Sequence, residues 1–133
     1  MIDKLDINGI NLLGDTVPFE FDNVEDDLKN FTIRNVDITA NFRVNSNIVK
    51  QVQILQCRVK SIKFIKNYFD IETLIIKNSN IKDLYRIKNC TKLKMLILDN
   101  VKIHSLRFLQ NMNGLQRFDL MNCNIKKISS IKK

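Results

Sequence analysis

Residues that form tight turns are scarce in this chain of 133 residues, which has one proline and three glycines. That scarcity excludes a sandwich or barrel built from many tight turns. Long apolar runs are also missing, and none approaches the roughly 20 residues that a membrane-spanning helix requires. The opening "MIDKLDINGI" carries Asp3 and Asp6 and no apolar stretch, unlike a secretory signal or a basic transit peptide. We therefore expect an intracellular protein, cytoplasmic or nuclear, with no membrane association.

Motifs for phosphate binding and metal-dependent hydrolysis are missing as well. The sequence has no glycine-rich phosphate loop and no H-E-x-x-H zinc motif. Its three cysteines are too few for a disulfide-rich scaffold. Hydrophobic residues, in contrast, make up 44% of the chain, which is enough for the core of one compact unit of this length.

Charge is distributed unevenly along the chain. Residues 1–47 contain nine acidic and four basic side chains, whereas residues 48–133 contain five acidic and eighteen basic ones. A basic body behind an acidic head favours a polyanion such as RNA, or an acidic protein, as a partner. A compositional explanation competes with this one, because an AT-rich genome encodes many lysines, asparagines and isoleucines. The sequence leaves both explanations open.

The apolar residues follow a spacing that changes within each segment. In "LKMLILDNVKI", Leu93, Leu96, Leu98, Val101 and Ile103 are separated by 3, 2, 3 and 2 positions. The same spacing recurs 22 residues later in "LQRFDLMNCNI", and one and two such steps earlier in "IETLIIKNSNI" and "VKQVQILQCRV". Further apolar pairs three apart follow these segments: Ile62 and Ile65, Leu84 and Ile87, Leu106 and Leu109, and Ile128 and Ile131. The chain therefore contains an internal repeat.

Two looser copies precede the regular ones. One begins at Leu28 and runs one residue short, and "IDKLDINGINL" places Leu5 and Ile7 in the central slots of a degenerate first turn. On this basis we divide the chain into two parts. Residues 1–27 form an irregular acidic N-terminal cap with a possible degenerate repeat, and residues 28–133 form a solenoid of about five repeats.

This pattern resembles the leucine-rich repeat, L-x-x-L-x-L-x-x-N/C-x-L, in its 22-residue class. Members of that class include a phosphatase regulatory subunit, a spliceosomal A-prime protein and bacterial internalins. The resemblance implies an α/β fold, namely a right-handed solenoid with a short parallel β-sheet on the concave face and 3₁₀ or short helical segments on the convex side. It covers residues 28–133 well and residues 1–27 weakly.

The changing spacing has a physical explanation in such a solenoid. Residues two apart point the same way in a strand, so Leu96 and Leu98 are predicted to enter the core while Met95, Ile97 and Asp99 face outward. Residues three apart share one face of a 3₁₀ segment, which explains the apolar pairs of the returning half. Each coil then buries its apolar residues by stacking on its neighbours.

One slot departs from the family pattern. Relatives usually hold asparagine at the ninth position, where its amide bonds backbone groups inside the bend. Here that slot holds Val36, Cys57, Ser79, Val101 and Cys123. Asparagine stands one place earlier, at Asn35, Asn78, Asn100 and Asn122. These asparagines either form an exposed ladder or take over part of the missing hydrogen bonding, and the sequence leaves both open.

Groups with catalytic potential are isolated from one another. His104 falls in an outward slot with no nucleophile beside it. Cys57 and Cys123 share an inward slot three coils apart, about 14–15 Å, which is too far for a disulfide or a common metal ion. Asp99 and Asp119 face the concave side on adjacent strands, where solvated carboxylates more often contact a partner than act as an acid–base pair. We predict no enzyme activity, no cofactor, no metal and no small-molecule substrate.

The outward strand positions predict a protein-binding concave face. Besides Gln51, they are Gln53, Leu55, Thr73, Ile75, Lys77, Met95, Ile97, Asp99, Arg117, Asp119 and Met121. Five of them are large and apolar, although core packing does not require apolar residues at outward positions. Exposed apolar patches are typical of partner-binding sites. Isoleucines scattered by codon bias are the alternative explanation. The leading hypothesis is a non-catalytic interaction module, a small subunit or adaptor of a larger assembly.

The basic residues of the returning halves predict a second kind of partner. They are Lys60, Lys63, Lys66, Lys82, Arg86, Lys88, Lys102, Arg107, Lys126 and Lys127. A basic convex flank of this kind suits RNA phosphates, with a strong dependence on salt. The alternative hypothesis is therefore a factor associated with a ribonucleoprotein, such as the ribosome.

The final segment "IKKISSIKK" stops partway through a coil and offers no capping helix. A solenoid end without a cap exposes core and strand edge. We expect a larger complex or a second copy of the chain to cover that end.

Overall fold

The structure, a computed structural model, describes residues 4–8, 20–21, 28–39, 42–44 and 48–127. Its main sheet takes one strand from each successive coil: β1 (Lys4–Asn8), β3 (Asn30–Arg34), β6 (Gln51–Leu55), β8 (Thr73–Ile81), β9 (Met95–Ser105) and β10 (Arg117–Met121). Each strand pairs in parallel with the next in this order. This arrangement confirms the predicted solenoid of stacked parallel strands.

The register of the sheet reproduces the sequence repeat. Gln53 lies opposite Ile75, and Ile75 lies opposite Ile97, so the partners are 22 residues apart. Between β3 and β6 the offset falls by one, with Thr32 opposite Gln53, as the short copy at Leu28 predicts. The difference in repeat length therefore lies in the segments between the strands, and the pairing of the strands is continuous.

β1 extends this ladder at the N-terminal end. Its Leu5 lies opposite Phe31 and its Ile7 opposite Ile33, which are the central slots of the coil that follows. The other slots of the degenerate first turn lie outside the described residues. A separate pair of short parallel strands, β2 (Glu20–Phe21) and β5 (Arg43–Val44), connects the N-terminal part to the next coil.

The strands alternate between core and surface as predicted. In β8 the side chains of Leu74 and Ile76 are fully buried, whereas those of Ile75 and Lys77 remain half-exposed. Leu98 occupies the position of Ile76 in the next coil and is also fully buried. Burying each such aliphatic side chain stabilises the fold by roughly 1.5–3 kcal/mol.

The returning half of each regular coil contains a 3₁₀ helix. These are η1 (Lys63–Asn67), η2 (Leu84–Asn89) and η3 (Arg107–Asn111). The apolar pairs three apart turn their side chains inward there, and Ile65 and Ile87 are buried. The predicted pair Ile128 and Ile131 lies outside the described residues.

A left-handed residue ends the main strand segment of each of five coils. Asn35, Gln56, Asn78, Asn100 and Asn122 have φ between 51° and 55°. Asparagine tolerates this region better than most residues, because its short polar side chain bonds locally. Asparagine therefore stands one place before the ninth position because the bend requires a residue that adopts positive φ.

The ladder alternative for the asparagines is seen, whereas the hydrogen bonds inside this bend come from the serine at the ninth position. Asn100 Nδ2 donates to Asn78 Oδ1 at 2.8 Å, which is one step of an exposed ladder. Inside the bend, Ser79 Oγ accepts from the Cys57 amide at 3.1 Å and donates to the Lys77 carbonyl at 2.9 Å. The hydroxyl at the ninth position thus supplies hydrogen bonds that the asparagine amide supplies in relatives.

Replacing Asn100 by valine is expected to lower the free energy of unfolding by about 1–2 kcal/mol, because a β-branched side chain resists positive φ. Urea unfolding followed by circular dichroism measures the loss. Asn100→Gly is the matched control: it also removes the bond to Asn78, yet glycine adopts positive φ freely. Equal losses in the two variants would contradict the assignment of a backbone role.

Past the left-handed residue the chain forms a second, narrower layer of parallel strands. β4 (Asp37–Ile38), β7 (Arg58–Val59) and the end of β8 pair with one another, and β11 (Asn124–Lys127) pairs with the end of β9. The sequence analysis expected the chain to turn directly into the helical segment. Extended backbone forms instead, because each bend is followed by alternating polar and apolar residues such as Arg58, Val59 and Lys60.

The coil of β10 buries its core side chains less completely than the coils before it. Leu115, Phe118, Leu120, Cys123 and Ile125 are half-buried and pack against the core cluster. Within the described residues β10 pairs with β9 alone, so this coil is covered on one side. The prediction that Cys123 is a buried residue is corrected on this ground.

Candidate functional site

The outward positions of the main sheet form three parallel rows on the concave face. The first row holds Asn30, Gln51, Thr73, Met95 and Arg117; the second holds Asp6, Thr32, Gln53, Ile75, Ile97 and Asp119; the third holds Arg34, Leu55, Lys77, Asp99 and Met121. Neighbours within a row are about 4.8 Å apart. All eleven residues predicted for a protein-binding face therefore lie on one surface.

Five apolar side chains in these rows are direct or diagonal neighbours. Ile75 and Ile97 lie opposite each other at the centre, and Met95 precedes Ile97 on the same face of β9. Leu55 and Met121 occupy the third row on the outer strands β6 and β10. We call these five residues the concave apolar patch. Met121 is 41% exposed, and the other four are half-exposed.

Polar side chains surround the concave apolar patch. Gln51, Gln53 and Thr73 border it on the N-terminal side, and Lys77 borders it between Leu55 and Asp99. Lys77 has no acidic partner within the described residues, although Asp99 lies opposite it in the register. An apolar centre with a polar border is the composition of protein interfaces.

Two of the three concave carboxylates, Asp99 and Asp119, are held by separate donors. Arg117 donates to Asp119 Oδ2 through Nε at 3.0 Å and through Nη2 at 2.7 Å. This contact raises the pKa of Arg117, first through the hydrogen bond and then through the charge of Asp119. Asp99 Oδ1 instead accepts a hydrogen bond from Asn122 Nδ2 at 3.1 Å. The pair therefore lacks the shared proton or substrate position of an acid–base dyad.

A buried carboxylate outside the concave face has a structural task. Asp83 is 8% exposed and accepts bonds from Ser61 Oγ at 2.8 Å and from the Ile62 amide at 3.0 Å. It also pairs with Arg86 Nε at 2.7 Å. Asp83 thus links the starts of η1 and η2 in adjacent coils. Because its acceptor sites are engaged, it is unsuited to proton transfer.

Cys57 and Cys90 have the character of small buried hydrophobes rather than nucleophiles. Burial raises the pKa of Cys90 to about 12, and burial raises the pKa of Cys57 as well. Both thiols therefore remain protonated at neutral pH. No group of three or more His, Cys, Asp or Glu side chains suited to a metal ion occurs in the described part of the chain.

The basic residues predicted for a convex flank lie on two different surfaces. Lys102, Lys126 and Lys127 lie in strands of the second layer, and Lys60 and Lys82 directly follow its strands β7 and β8. Lys63, Lys66, Arg86, Lys88 and Arg107 belong to the 3₁₀ helices. The predicted basic flank is thus distributed over two elements of each coil, the second strand layer and the 3₁₀ helix that follows it.

Of the eight cations in these two sets whose side chains the structure describes, seven have no acidic partner among the described residues. The exception is Arg86, which pairs with Asp83. Two other lysines, on the edge that leads into the main sheet, are neutralised: Lys92 Nζ lies 2.6 Å from Asp70 Oδ1, and Lys94 Nζ lies 3.5 Å from Glu72 Oε1. The unpaired charges therefore concentrate on the second strand layer and the 3₁₀ helices.

Aromatic residues of the convex side mostly serve the core. Phe64 and Phe108 are 3% and 5% exposed, and Phe64 packs edge-on against Phe42 with 4.8 Å between ring centroids. Tyr85 is 53% exposed and lies beneath the Arg86 guanidinium at 5.6 Å. Phe69 is 74% exposed at the turn after η1. Of the three aromatic residues in the 3₁₀ helices, only Tyr85 is therefore accessible for stacking.

Three polar residues that share a row with Lys102 in the second layer were not identified from the sequence as candidate site residues. Arg58, Asn80 and Asn124 are exposed and occupy equivalent positions on β7, β8 and β11. Their signal was the alternation of polar and apolar residues after each bend, which indicates a strand.

No membrane-spanning helix is found in the described residues, whose helices are short 3₁₀ turns lacking the necessary length and apolar character.

Comparisons with known proteins identify the fold. No protein-family model matches the chain, and a search of curated proteins finds no significant match. Among solved structures it is similar to an internalin, InlF, from Listeria monocytogenes strain 4b F2365, with a TM-score of 0.65 and 19% identity over 78% of this chain. It is also similar to internalin C2 of the same strain, with a TM-score of 0.53 and 14% identity over 79% of this chain. This chain spans 31% of the first protein and 66% of the second. Together with the 22-residue register and the parallel strands, this likeness establishes that the chain is a leucine-rich-repeat solenoid.

Proposed function

We propose that this chain is a non-catalytic interaction module that binds an amphipathic helix of a protein partner through the concave apolar patch. One observation carries the proposal. Large aliphatic side chains at Ile75 and Ile97 lie side by side on the outward face, where core packing does not require them. Contiguous exposed apolar surface of this kind is typical of protein-binding sites.

The spacing of the patch favours a helix that crosses the strands. Leu55, Ile75, Ile97 and Met121 lie on four successive strands, each about 4.8 Å from the next. A helix advances about 5.4 Å per turn, so a helical face with apolar residues at i, i+4, i+7 and i+11 places one side chain near each strand. Helix-in-groove binding uses this pattern of anchors.

The charge of Lys77 indicates which kind of residue the partner helix carries beside its apolar face. Lys77 lies beside Ile75 on the same face of β8 and has no acidic partner within the described residues. Arg117 at the opposite corner is already neutralised by Asp119. A partner helix is therefore expected to carry an acidic residue on the side that faces Lys77. This fits the acidic or helical protein that the sequence analysis favours.

A capture experiment tests the protein-binding function. The immobilised chain is exposed to cell extract with and without ribonuclease, at two salt concentrations, and retained proteins are identified by mass spectrometry. A partner that resists ribonuclease and about 200 mM salt is then purified, and its affinity for the chain and for variants of the concave apolar patch is measured. A partner whose binding is indifferent to these variants would contradict the proposal.

A factor associated with a ribonucleoprotein is the second candidate. The supporting observation is the set of exposed cations without acidic partners in the described residues: Lys60, Lys63, Lys66, Lys82, Lys88, Lys102 and Arg107. Contacts to phosphate predict that binding falls by orders of magnitude between about 50 and 200 mM salt. In the same capture experiment, partners held through RNA would be lost after ribonuclease treatment.

Self-association at the β10 end is a further expectation. Contact with a second copy is favoured by the half-buried side chains of Leu115, Phe118 and Leu120. The edge of β10, which pairs with β9 alone within the described residues, favours it as well. Analytical ultracentrifugation over a hundredfold range of concentration is expected to show a dimer that dissociates on dilution. A monomer at every concentration would contradict self-association and leave the concave site unaffected.

A further inference from the structure

A groove opens where two coils of the second strand layer separate. The ladder between β8 and β9 continues as far as Ser79 opposite Val101. Beyond that point the end of β8 pairs with β7, and the end of β9 pairs with β11. The space between the two pairs is a cavity of about 430 Å³, lined by Asn80, Ile81, Lys82, Lys102, Ile103, His104 and Asn124.

The lining of the groove is cationic at its mouth and apolar at its floor. Ile81 and Ile103 are buried beneath it. Lys82, Lys102 and His104 are exposed at the mouth, and no residue of the lining is acidic. None of these three side chains has an acidic partner within the described residues. The positive charges of the groove therefore attract an anion, because no acidic side chain of the lining neutralises them.

Two amides complete the polar surface of the groove. Asn80 and Asn124 are exposed on either side of Lys102, from the adjacent coils. Asparagine both donates and accepts hydrogen bonds, so it bonds hydroxyl groups and base edges as well as phosphate oxygens. The combination of two ammonium groups, an imidazole and two amides suits a phosphate group attached to a sugar.

The surroundings favour a linear polyanion over a small phosphorylated molecule. Cations continue beyond the groove, at Arg58 beside Asn80 and at Lys60 one coil before Lys82. Sites for small molecules enclose most of the ligand surface between apolar and aromatic walls. This groove has no phenylalanine, tyrosine or tryptophan side chain in its lining, and His104 is its one ring. Recognition would consequently depend on the backbone of the polymer rather than on base stacking.

We propose that this groove binds the sugar–phosphate backbone of single-stranded RNA, with Lys82 and Lys102 contacting phosphates. The inference rests on the second candidate function above and assigns it a site. Asn80, Asn124 and His104 form hydrogen bonds to the same segment of RNA.

Fluorescence anisotropy of a labelled single-stranded oligouridine, titrated with the full chain, tests the site. Lys82→Glu with Lys102→Glu is expected to weaken binding on the order of 10- to 100-fold, because two phosphate contacts become repulsive. It also makes the slope of log K against log salt less negative by about 1.4, at roughly 0.7 per phosphate for single strands. Lys82→Arg with Lys102→Arg is expected to retain affinity within about threefold, since both charges persist.

Lys29→Glu with Lys94→Glu is the matched control, since it makes the same change in net charge at two exposed lysines outside the set assigned to RNA. It is expected to weaken binding by less than about threefold. Equal losses in the two charge-reversal variants would overturn the groove while RNA binding itself stands. If the unaltered chain does not bind the oligonucleotide at about 50 mM salt, the second candidate function fails and the groove proposal with it. Circular dichroism of each variant confirms that the fold is retained.

Discussion

Replacing Ile75 and Ile97 together by glutamate is expected to weaken binding of the purified protein partner by about 1,000-fold. Each central anchor of an interface contributes about 2 kcal/mol or more, and two such losses correspond to about three orders of magnitude. The new carboxylates lie opposite each other in the register, which further opposes burial under a partner. Titration calorimetry with the purified partner measures the effect.

The fold is expected to survive this double substitution. Both isoleucines are half-exposed, so the free energy of unfolding falls by about 1 kcal/mol, chiefly from repulsion between the paired glutamates. Asn67→Glu with Asn89→Glu is the control, because these exposed residues also lie 22 positions apart and the charge change is the same. A partner that tolerates the isoleucine substitutions, or that is lost equally with the control, would refute the concave site.

Leu98→Ala is expected to lower the free energy of unfolding by about 3–4 kcal/mol, through lost transfer energy and the cavity that remains. Leu98 is 0% exposed and stands between Ile76 and Leu120 in the register, so the cavity weakens contacts with two neighbouring coils. The unfolding temperature is expected to fall by roughly 10 °C. Chemical and thermal unfolding followed by circular dichroism measure both quantities.

The neighbouring residue provides the control for this prediction. Ile97→Ala removes an aliphatic side chain of similar size from the outward face of the same strand, and its effect is expected to stay below about 1 kcal/mol. If alanine at 97 destabilised the chain as much as alanine at 98, the assignment of inward and outward faces would be wrong. The proposed binding surface would then have no foundation.

The main sheet was predictable from the sequence because its physics is local and periodic. Inward residues two apart, such as Leu74 and Ile76, are imposed by the pleat of a strand. The step of 22 residues then sets the register, since each coil must present the same slots to its neighbour. The outward position of Ile75 and Ile97 followed from these two facts without knowledge of any tertiary contact.

The second strand layer was not predicted from the sequence. Its strands are too short to give a clear alternation of polar and apolar residues, and they form because the left-handed bend redirects the chain. Two or three alternating residues after each bend, such as Asn80 and Ile81, are too few for a confident strand assignment from sequence. The left-handed conformation of Asn78 and Asn100 directs the chain into this layer. Lys82 and Lys102 are thereby separated from the 3₁₀ cations with which the sequence grouped them.

By itself the sequence determined the solenoid, the length of its repeat and the identity of the concave apolar patch, because all three follow from which side chains must avoid water at regular intervals. The tertiary structure decided how the polar groups meet. The engagement of Asp99 by Asn122, the burial of Asp83 between two coils and the groove beside Lys102 depend on distances between residues about 20 positions apart or more. Such distances are set by the stacking of coils, and the order of residues along one coil does not contain them.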